Sequence, residues 1–364
     1  MQVKKYDEHE RPYLEICEGY KIRIEYEEVT AEYKEKAEIE LRETPENVSK
    51  GLEELRELLM VDENKSFIHK FLEYFYIAAD EHLFVPYERD DFLLKYLRPT
   101  KFYAKSAYDL MNRYYKFKIK YPKYCDNVMP NTVKRPFEHN TVNFQPKRDQ
   151  HGRRILILSG AKDWTPEKFS LNELFRAIQV ALELAMLEPM TQINGCIVIF
   201  DMTGITFSQL QYCSIPFALM LLEWIQHCAP LRLKAFHVVH NPSFFNMIFK
   251  FLKPFLGHKM KNRIFFHRNN MKRLLKHVSP DCLRPNFGGH MPCEEVDGKL
   301  LSDLFDECVE EFEVLNCYGY KEDKKSMKIP NIVQVTKGST AKYVLVKDVI
   351  DGAENKTPEI PLNL

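Results

Sequence analysis

The sequence places three candidates for an acid, a base or a metal ligand at the ends of predicted strands, namely Asp201, His237 and His240. Asp201 follows a continuous apolar run and begins the stretch DMTG, where a carboxylate more often caps a turn than catalyses a reaction. His237 and His240 are three residues apart at the end of a predicted strand, and that spacing does not bring two imidazoles together on one face. We therefore predict no catalytic residue and no metal site.

The common enzyme motifs are also absent from the sequence. It contains no G-x-S-x-G nucleophile elbow, no H-E-x-x-H zinc helix, no G-x-x-x-x-G-K-S/T phosphate loop and no G-x-G-x-x-G. We predict a protein that is not an enzyme and has no cofactor. A lipid-modifying enzyme that uses Asp201 and a nearby histidine is the alternative from the enzyme class.

A long interval of the chain carries charge of one sign. No Asp or Glu occurs between Glu223 and Asp281, whereas the interval holds eleven Lys or Arg in a protein of formal net charge +0. The interval lacks a recognisable nucleic-acid module, and a neutral protein is unlike a typical nucleic-acid binder. A local basic field of this kind favours an anionic membrane surface, and a solvated basic loop is the plainer alternative.

A strongly apolar helix is predicted within the same interval, at residues 241–256. Asn241 suits the helix cap and Pro242 the first helical position. Polar residues share one narrow stripe of this helix, and the remaining positions are mostly Phe, Met, Ile and Leu. Such a helix is either buried in a core, or lies on a lipid surface or closes over a lipid.

Composition indicates a globular protein that can bury a sizeable core, with 45% hydrophobic and 29% charged residues. The Phe 25 and Tyr 19 counts are high, as they are in proteins with an apolar cavity or simply with a Phe-rich core. No apolar run reaches the roughly 18–20 residues of a transmembrane helix, and the N-terminus lacks the apolar region of a signal peptide. Nine scattered cysteines without a C-x-x-C pair favour reduced thiols in the cytosol.

The pattern of apolar residues divides the chain into four predicted parts. Residues 1–50 form an N-terminal extension with a hairpin around Gly19, and 51–125 read as a small helical domain. Residues 126–320 alternate buried strands with helices, which predicts an α/β domain with a mostly parallel sheet. One long helix is expected at 207–227, and residues 321–364 form a polar tail.

Several ordered motifs resemble the CRAL-TRIO lipid-transfer family, which includes tocopherol transfer and cellular retinaldehyde-binding proteins. They are FLLKYLRPTKF at 92–102, KYP at 120–122, DQHGRRI at 149–155, GCIVIFDMTGI at 195–205, PLRLKAFHVVHNPSFFNMIFKFLKPFL at 230–256 and NFGG at 286–289. The resemblance covers roughly residues 51–320. It implies a helical domain packed on an α/β domain with a deep apolar cavity, over which the helix at 241–256 is a mobile gate.

The resemblance and the helical spacings together give the candidate site residues. Expected at the cavity and the gate are Phe217, Leu221, Leu222, Ile225, Phe244, Phe245, Ile248, Phe249 and Leu252. By position in the family, the residues for a phosphoinositide headgroup are Arg232, Lys234, Lys259 and Arg263. Relatives read Leu-Arg-Ala-Arg where this chain has Leu-Arg-Pro-Thr, so Thr100 replaces an Arg that adds to the basic surface in that branch.

The resulting interpretation is a cytoplasmic, monomeric carrier that associates peripherally with anionic membranes. Its ligand would be one small lipophilic molecule, a tocopherol, retinoid, carotenoid or phospholipid, exchanged at membranes that contain phosphoinositides. A phosphoinositide sensor or adaptor without net lipid transfer is the main alternative.

Overall fold

A computed structural model describes residues 2–27, 29–72, 82–159, 164–321, 332–337 and 340–345. The N-terminal extension forms a three-stranded antiparallel sheet followed by two helices, in the order β1 (Val3–Tyr6), β2 (Pro12–Cys17), β3 (Tyr20–Ile22), α1 (Ala31–Leu41) and α2 (Pro45–Leu72). Gly19 has φ +79° at the turn between β2 and β3, a conformation that glycine adopts without strain. The structure thus contains the predicted hairpin.

The helical part of the chain has a buried core of its own. It continues from α2 through β4 (His82–Phe84), α3 (Asp90–Leu97), α4 (Ala104–Lys120) and α5 (Pro122–Cys125). Leu55, Leu93 and Tyr96 are fully buried in this core. Tyr318, from beyond the α/β part, packs edge-on against Phe92 with ring centroids 5.4 Å apart. The chain therefore returns to the helical core after completing the main sheet.

The main sheet has five strands whose order in space follows the sequence. After α6 (Lys134–Glu138), the strands are β5 (Val142–Phe144), β6 (Arg154–Ser159), β7 (Cys196–Asp201), β8 (Leu233–Val239) and β9 (Ile264–Arg268). Only the β5–β6 pair in this sheet is antiparallel. The predicted α/β class with a mostly parallel sheet is confirmed.

Helices connect and cover these strands. They are α7 (Leu171–Met186), α8 (Pro189–Asn194), α9 (Phe207–Leu210), α10 (Ile215–Glu223), α11 (Ser243–Leu252), α12 (His258–Lys261), α13 (Met271–Leu274), α14 (Gly298–Asp306) and α15 (Val309–Cys317). The π-helical turn Trp224–Cys228 extends α10, and 3₁₀ turns lie at Pro130–Thr132, Lys253–Phe255, Pro280–Cys282 and Pro285–Phe287. Three further strands are β10 (Gly319–Lys321), which pairs with β4, and the antiparallel pair β11 (Ile332–Lys337) and β12 (Thr340–Leu345). Most of the predicted tail lies outside the described residues.

The two faces of the main sheet pack against different layers. Ile155, Ile197 and Ala235 point into a core shared with Leu274 and Val278. Their neighbours in sequence point to the opposite face, where α7 and α10 lie. Because side chains alternate along a strand, each of β6, β7 and β8 contributes to both layers.

The prediction of a single helix at 207–227 is wrong. The segment begins with α9, is interrupted at residues 211–214, and restarts at α10, where the Ser214 side chain accepts a hydrogen bond from the Phe217 backbone N–H. Pro216 explains the interruption, because a proline inside a helix removes a hydrogen bond and clashes with the preceding turn.

Two cysteines that the sequence analysis treated as reduced thiols are paired. Cys17, at the end of β2, forms a disulfide with Cys293, with the two Cα atoms 5.7 Å apart. That separation lies within the usual range for a disulfide. The expectation of reduced thiols is therefore wrong for this pair, which ties the N-terminal hairpin to the segment before α14.

Candidate functional site

An apolar cavity of about 280 Å³ lies between the main sheet and the helices on one of its faces. Leu156, Val198 and Phe236 stand side by side on β6, β7 and β8 and form its floor. One wall is the stripe that α7 presents, made of Leu171, Leu174, Phe175, Ile178 and Leu182. The spacing of three and four residues in this stripe is that of one helix face.

The opposite wall comes from the segment that runs from α9 to the π-helical turn. Phe217, Leu221 and Ile225 line the cavity, and Trp224 meets Phe175 edge-on at 5.2 Å. Leu222, which was predicted with them, is half-buried and packs against the surrounding core. Three of the four predicted residues of this segment thus lie at the cavity.

The polar groups at the cavity are few and uncharged. The Trp164 indole N–H donates to the Phe169 carbonyl at 2.9 Å, and the Gln209 amide donates to the Trp164 carbonyl at 2.7 Å. Thr141, Cys196 and Cys213 are the remaining polar side chains. Among the described residues that line the cavity, none is charged at neutral pH. An ionised ligand group would therefore be buried there without a partner. The free-energy cost of burying such a charge is at least about several kcal/mol.

Helix α11 closes part of the cavity and is itself on the surface. Its cap is Pro242, one residue later than the predicted cap Asn241. Phe245 lines the cavity, and Phe249 packs edge-on against Phe266 of β9 at 4.7 Å. Phe244 lies 5.9 Å from the ring of Phe207.

No residue of α11 is fully buried. The predicted residues Ile248 and Leu252 are half-buried, whereas Met247 is 65% and Phe251 73% exposed. Large apolar side chains on neighbouring segments are exposed as well, namely Phe207, Tyr212, Ile215 and Phe255. Exposed apolar residues concentrated in this way mark an interaction surface more often than a free surface.

Hydrogen bonds hold both ends of the α11 segment. At its start, the Asn241 side chain accepts the Arg268 backbone N–H at 3.0 Å and donates to Asn246 at 3.2 Å. At its end, the Gln226 side chain accepts the Gly257 N–H at 2.7 Å and donates to the Phe255 carbonyl at 3.2 Å. These side-chain hydrogen bonds thus fasten the segment at its two ends.

Asp201 lies directly before this anchoring region. One Asp201 carboxylate oxygen accepts hydrogen bonds from the Thr203 backbone N–H and hydroxyl, and it lies 2.8 Å from His240 Nδ1. Neither Asp201 nor His240 is among the residues that line the cavity. The pair therefore stabilises the turn at the ends of β7 and β8. For Asp201, a role in the turn DMTG is what the sequence predicted.

His237 pairs with a different histidine. Its Nδ1 lies 3.0 Å from Nε2 of His267, and burial, with the neighbouring charges of His267 and His277, lowers the pKa of His237 to about 3. In the described segments, no group of three or more His, Cys, Asp or Glu side chains is arranged to hold a metal ion. No helix there is long and apolar enough to cross a bilayer.

Three of the four predicted basic residues, Arg232, Lys234 and Arg263, lie at the amino-terminal ends of β8 and β9. Arg232 Nη2 and Lys234 Nζ lie 2.8 Å and 3.0 Å from the same Glu40 carboxylate oxygen. Burial lowers the pKa of Arg263, and the charge of Arg232 adds to that effect. Lys259 is exposed on α12, just before Arg263 in sequence.

Thr100, which stands where relatives have an Arg, has a structural role. Its hydroxyl donates to the Tyr96 carbonyl at 2.8 Å and the Leu97 carbonyl at 3.1 Å, which closes the end of α3. Sequence analysis did not anticipate Glu40, because it lies on α1, far along the chain from the cations. It also did not assign the α7 stripe to the cavity, although its helical spacing was visible.

Comparison with known proteins adds to this geometry. Residues 138–289 match the CRAL/TRIO domain. The chain is 28% identical over 264 residues to clavesin-2 of Homo sapiens, covering 71% of this chain and 74% of that protein. Clavesin-1 of Xenopus laevis is also 28% identical, over 260 residues, with 71% and 73% covered. The crystal structure of Sfh5 aligns with a TM-score of 0.42 at 14% identity, over 54% of this chain and 72% of that one.

Proposed function

Given that this chain belongs to the CRAL-TRIO lipid-transfer family, we propose that it carries one small lipophilic ligand and exchanges it at anionic membranes that contain phosphoinositides. The observation that supports the carrier role is the cavity of about 280 Å³, with its apolar lining and Phe245 of α11 at its edge. Membership of the family supports a lipid-binding transfer protein. The identity of the ligand and the kind of membrane are what we propose.

The cavity favours a compact, uncharged ligand. Pockets for drug-sized molecules usually measure about 300–1,000 Å³, so this one is at the small end of the range. A retinoid or a tocopherol fits these limits better than a carotenoid or a two-chain phospholipid with a charged headgroup. At roughly 25 cal/mol per Å² of buried apolar surface, such a ligand leaves for water very slowly. Release therefore requires a membrane.

Helix α11 is well placed to act as the gate for that release. Phe245 faces the cavity while Met247 and Phe251 face solvent, so the helix could exchange its cavity contact for a lipid contact at small net cost. Arg232, Lys234, Lys259 and Arg263 are the proposed headgroup site. Arg232, Lys234 and Arg263 lie at the starts of β8 and β9, whereas α11 follows the end of β8. Basic residues near an anionic leaflet contribute about 1 kcal/mol each.

A vesicle experiment tests the proposed docking. We expect the double variant Lys259→Glu with Arg263→Glu to lose binding to vesicles that contain phosphoinositide and to keep its bound ligand, because the cavity is unchanged. Lys272→Glu with Lys276→Glu is the matched control, since it changes the same charge on the opposite side of the sheet, beside Leu274. Equal vesicle binding by both double variants and the wild type at low salt would refute the headgroup site.

The ligand and its transfer need separate measurements. Native mass spectrometry of the purified protein should show one co-purified lipid per chain, and labelled ligand should pass from the protein to acceptor vesicles. Retention of the ligand without any transfer would favour the phosphoinositide sensor or adaptor. Conversion of the ligand would favour the enzyme alternative. The cytoplasmic location with peripheral membrane association, the monomeric state and the absence of nucleic-acid binding belong to the same proposal.

A further inference from the structure

The proposed headgroup site already holds an anion from this chain. Glu40 lies on α1, outside the residues that match the CRAL/TRIO domain. Ala37 and Leu41 of the same helix are buried against Ile193 of α8, so the helix is fixed beside the amino-terminal end of β8. This packing against the matched domain brings the Glu40 carboxylate to the basic residues.

The contacts of Glu40 resemble those that a phosphoryl group would make. One carboxylate oxygen bridges Arg232 and Lys234 at 2.8 Å and 3.0 Å. Although burial raises the pKa of Glu40, hydrogen bonds from Lys234 and Arg232 outweigh that effect and lower it to about 2. The carboxylate is therefore ionised throughout the physiological range. The Arg232 and Lys234 side chains are 14% and 20% exposed, so a headgroup reaches these cations by displacing the Glu40 carboxylate, which is itself 35% exposed.

An incoming lipid must compete with this internal carboxylate. A headgroup whose only charge is a phosphodiester brings one negative charge, which is no more than Glu40 already supplies. A phosphomonoester brings about −1.5 to −2 charges and three acceptor oxygens. Displacing Glu40 is thus close to neutral for the first kind of lipid and favourable for the second.

We propose that Glu40 is an internal competitor, which occupies Arg232 and Lys234 until a lipid headgroup that carries phosphomonoesters displaces it. The contact lowers the affinity for every anionic headgroup, and a lipid without a phosphomonoester, such as phosphatidylserine, gains little net free energy by displacing it. This inference rests on the proposed membrane docking and adds an autoinhibitory contact to it. The competing carboxylate is supplied by the N-terminal extension.

Glu40→Gln is the variant that tests this competition. The amide keeps the size of the side chain and removes its charge, while α1 remains held by Ala37, Leu41 and the Lys36 ammonium, which donates to Asn194 at 2.7 Å. Glu38→Gln is the matched control, because Glu38 is exposed on the same helix and the change in net charge is identical. Both variants are compared with the wild type by thermal melting and by vesicle co-sedimentation.

The vesicles are phosphatidylcholine with either phosphatidylserine or phosphatidylinositol bisphosphate, at equal total charge. We expect the wild type and Glu38→Gln to prefer the bisphosphate vesicles. Glu40→Gln should bind phosphatidylserine vesicles about fivefold more tightly than the wild type, the factor that an ion pair of about 1 kcal/mol supplies. Its affinity for the bisphosphate vesicles should rise by the same factor, because the loss of an internal competitor favours every lipid that binds the same cations.

Three other results would overturn the inference, and they can be told apart. If Glu40 only fastens α1, Glu40→Gln lowers the melting temperature and leaves the affinity for both kinds of vesicle at the wild-type value. If Glu38→Gln gains phosphatidylserine binding equally, the effect is one of net charge and not of this contact. If the wild type binds neither kind of vesicle, the proposed docking fails as well.

Discussion

Phe245 and Phe251 have the same side chain on the same helix but opposite surroundings. Phe245 lines the cavity, whereas Phe251 is 73% exposed. We expect Phe245→Asp to speed ligand loss at least about tenfold, because an unpaired carboxylate beside an apolar cavity costs more than the 1.4 kcal/mol that a factor of ten represents. The measurement is the rate at which bound ligand passes to excess acceptor vesicles.

Phe251→Asp is the control for that experiment. Its carboxylate would be solvated and away from the cavity, so ligand loss into a neutral acceptor should stay near the wild-type rate. Equal acceleration by both variants would mean that any charge on α11 loosens the ligand, and the specific role of Phe245 would have to be abandoned.

The basic residues show what sequence reasoning can and cannot reach at this scale. Arg232, Lys234, Lys259 and Arg263 were expected to form one basic surface. A parallel sheet brings the starts of neighbouring strands to one edge, and because β8 and β9 are parallel, Arg232, Lys234 and Arg263 lie at the same edge. Glu40 was not expected, because nothing in its surrounding sequence specifies which surface α1 covers. Local sequence patterns predict which face of a helix or strand is apolar. Which other element packs against that face depends on the fold of the whole chain.

The gate segment is the element on which release would depend. Gln226 holds its end through two hydrogen bonds, one to the Gly257 N–H and one to the Phe255 carbonyl. We expect Gln226→Ala to speed ligand release about five- to thirtyfold, since each hydrogen bond contributes about 1 kcal/mol. Amide hydrogen exchange at residues 253–257 should quicken as well.

Gln211→Ala serves as the comparison for this element, because Gln211 is exposed at the end of α9 and nearby in sequence. In Gln211→Ala, the rate of ligand release and the amide hydrogen exchange at residues 253–257 should match those of the wild type. Unchanged kinetics in the Gln226 variant would place the mobile part of the segment elsewhere.

Element prediction was successful where apolar runs were long and failed where a breaker was overlooked. The strands around 155–158, 196–200 and 235–239 follow from continuous apolar residues, and the structure has β6, β7 and β8 there. The predicted helix at 207–227 ignored Ser214 and Pro216, which together signal a new helix start. Hydrophobicity alone could not reveal that break, because the residues on both sides are apolar.

At the scale of the whole molecule, the contacts that were missed join distant parts of the chain. Cys17 and Cys293 are separated by 276 residues, and no spacing rule connects them. Disulfides are unusual in a reducing cytosol, so this bond is the observation that counts against the proposed location. Tyr318 likewise packs in the core of the helical part, although it follows the α/β part in sequence. A boundary drawn at one position of the sequence assigns Tyr318 to the α/β part and so misses this contact.

One buried ion pair fastens the helical part to the α/β part. Glu183 of α7 accepts hydrogen bonds from the Lys95 ammonium of α3 and from the Tyr114 hydroxyl of α4, the latter at 2.5 Å. Burial opposes ionisation of Glu183, but the charge and hydrogen bond of Lys95 outweigh it and lower its pKa below the ordinary 4.5. Lys95 itself is only 7% exposed, so loss of the carboxylate would leave a buried charge without its partner.

This arrangement predicts how stability depends on pH. Because the pKa of Glu183 is lower in the folded than in the unfolded chain, the ion pair stabilises fully above about pH 5, and its contribution is lost as the pH falls through the folded-state value. Glu183→Gln should lower the free energy of unfolding at pH 7 by about 3–5 kcal/mol, the cost of breaking a buried pair. The difference from the wild type should then shrink as the pH falls below about 4.5. Glu54→Gln, in an exposed pair with Lys50, should change little at either pH, and a Glu183 deficit that stayed constant down to pH 3 would contradict this account.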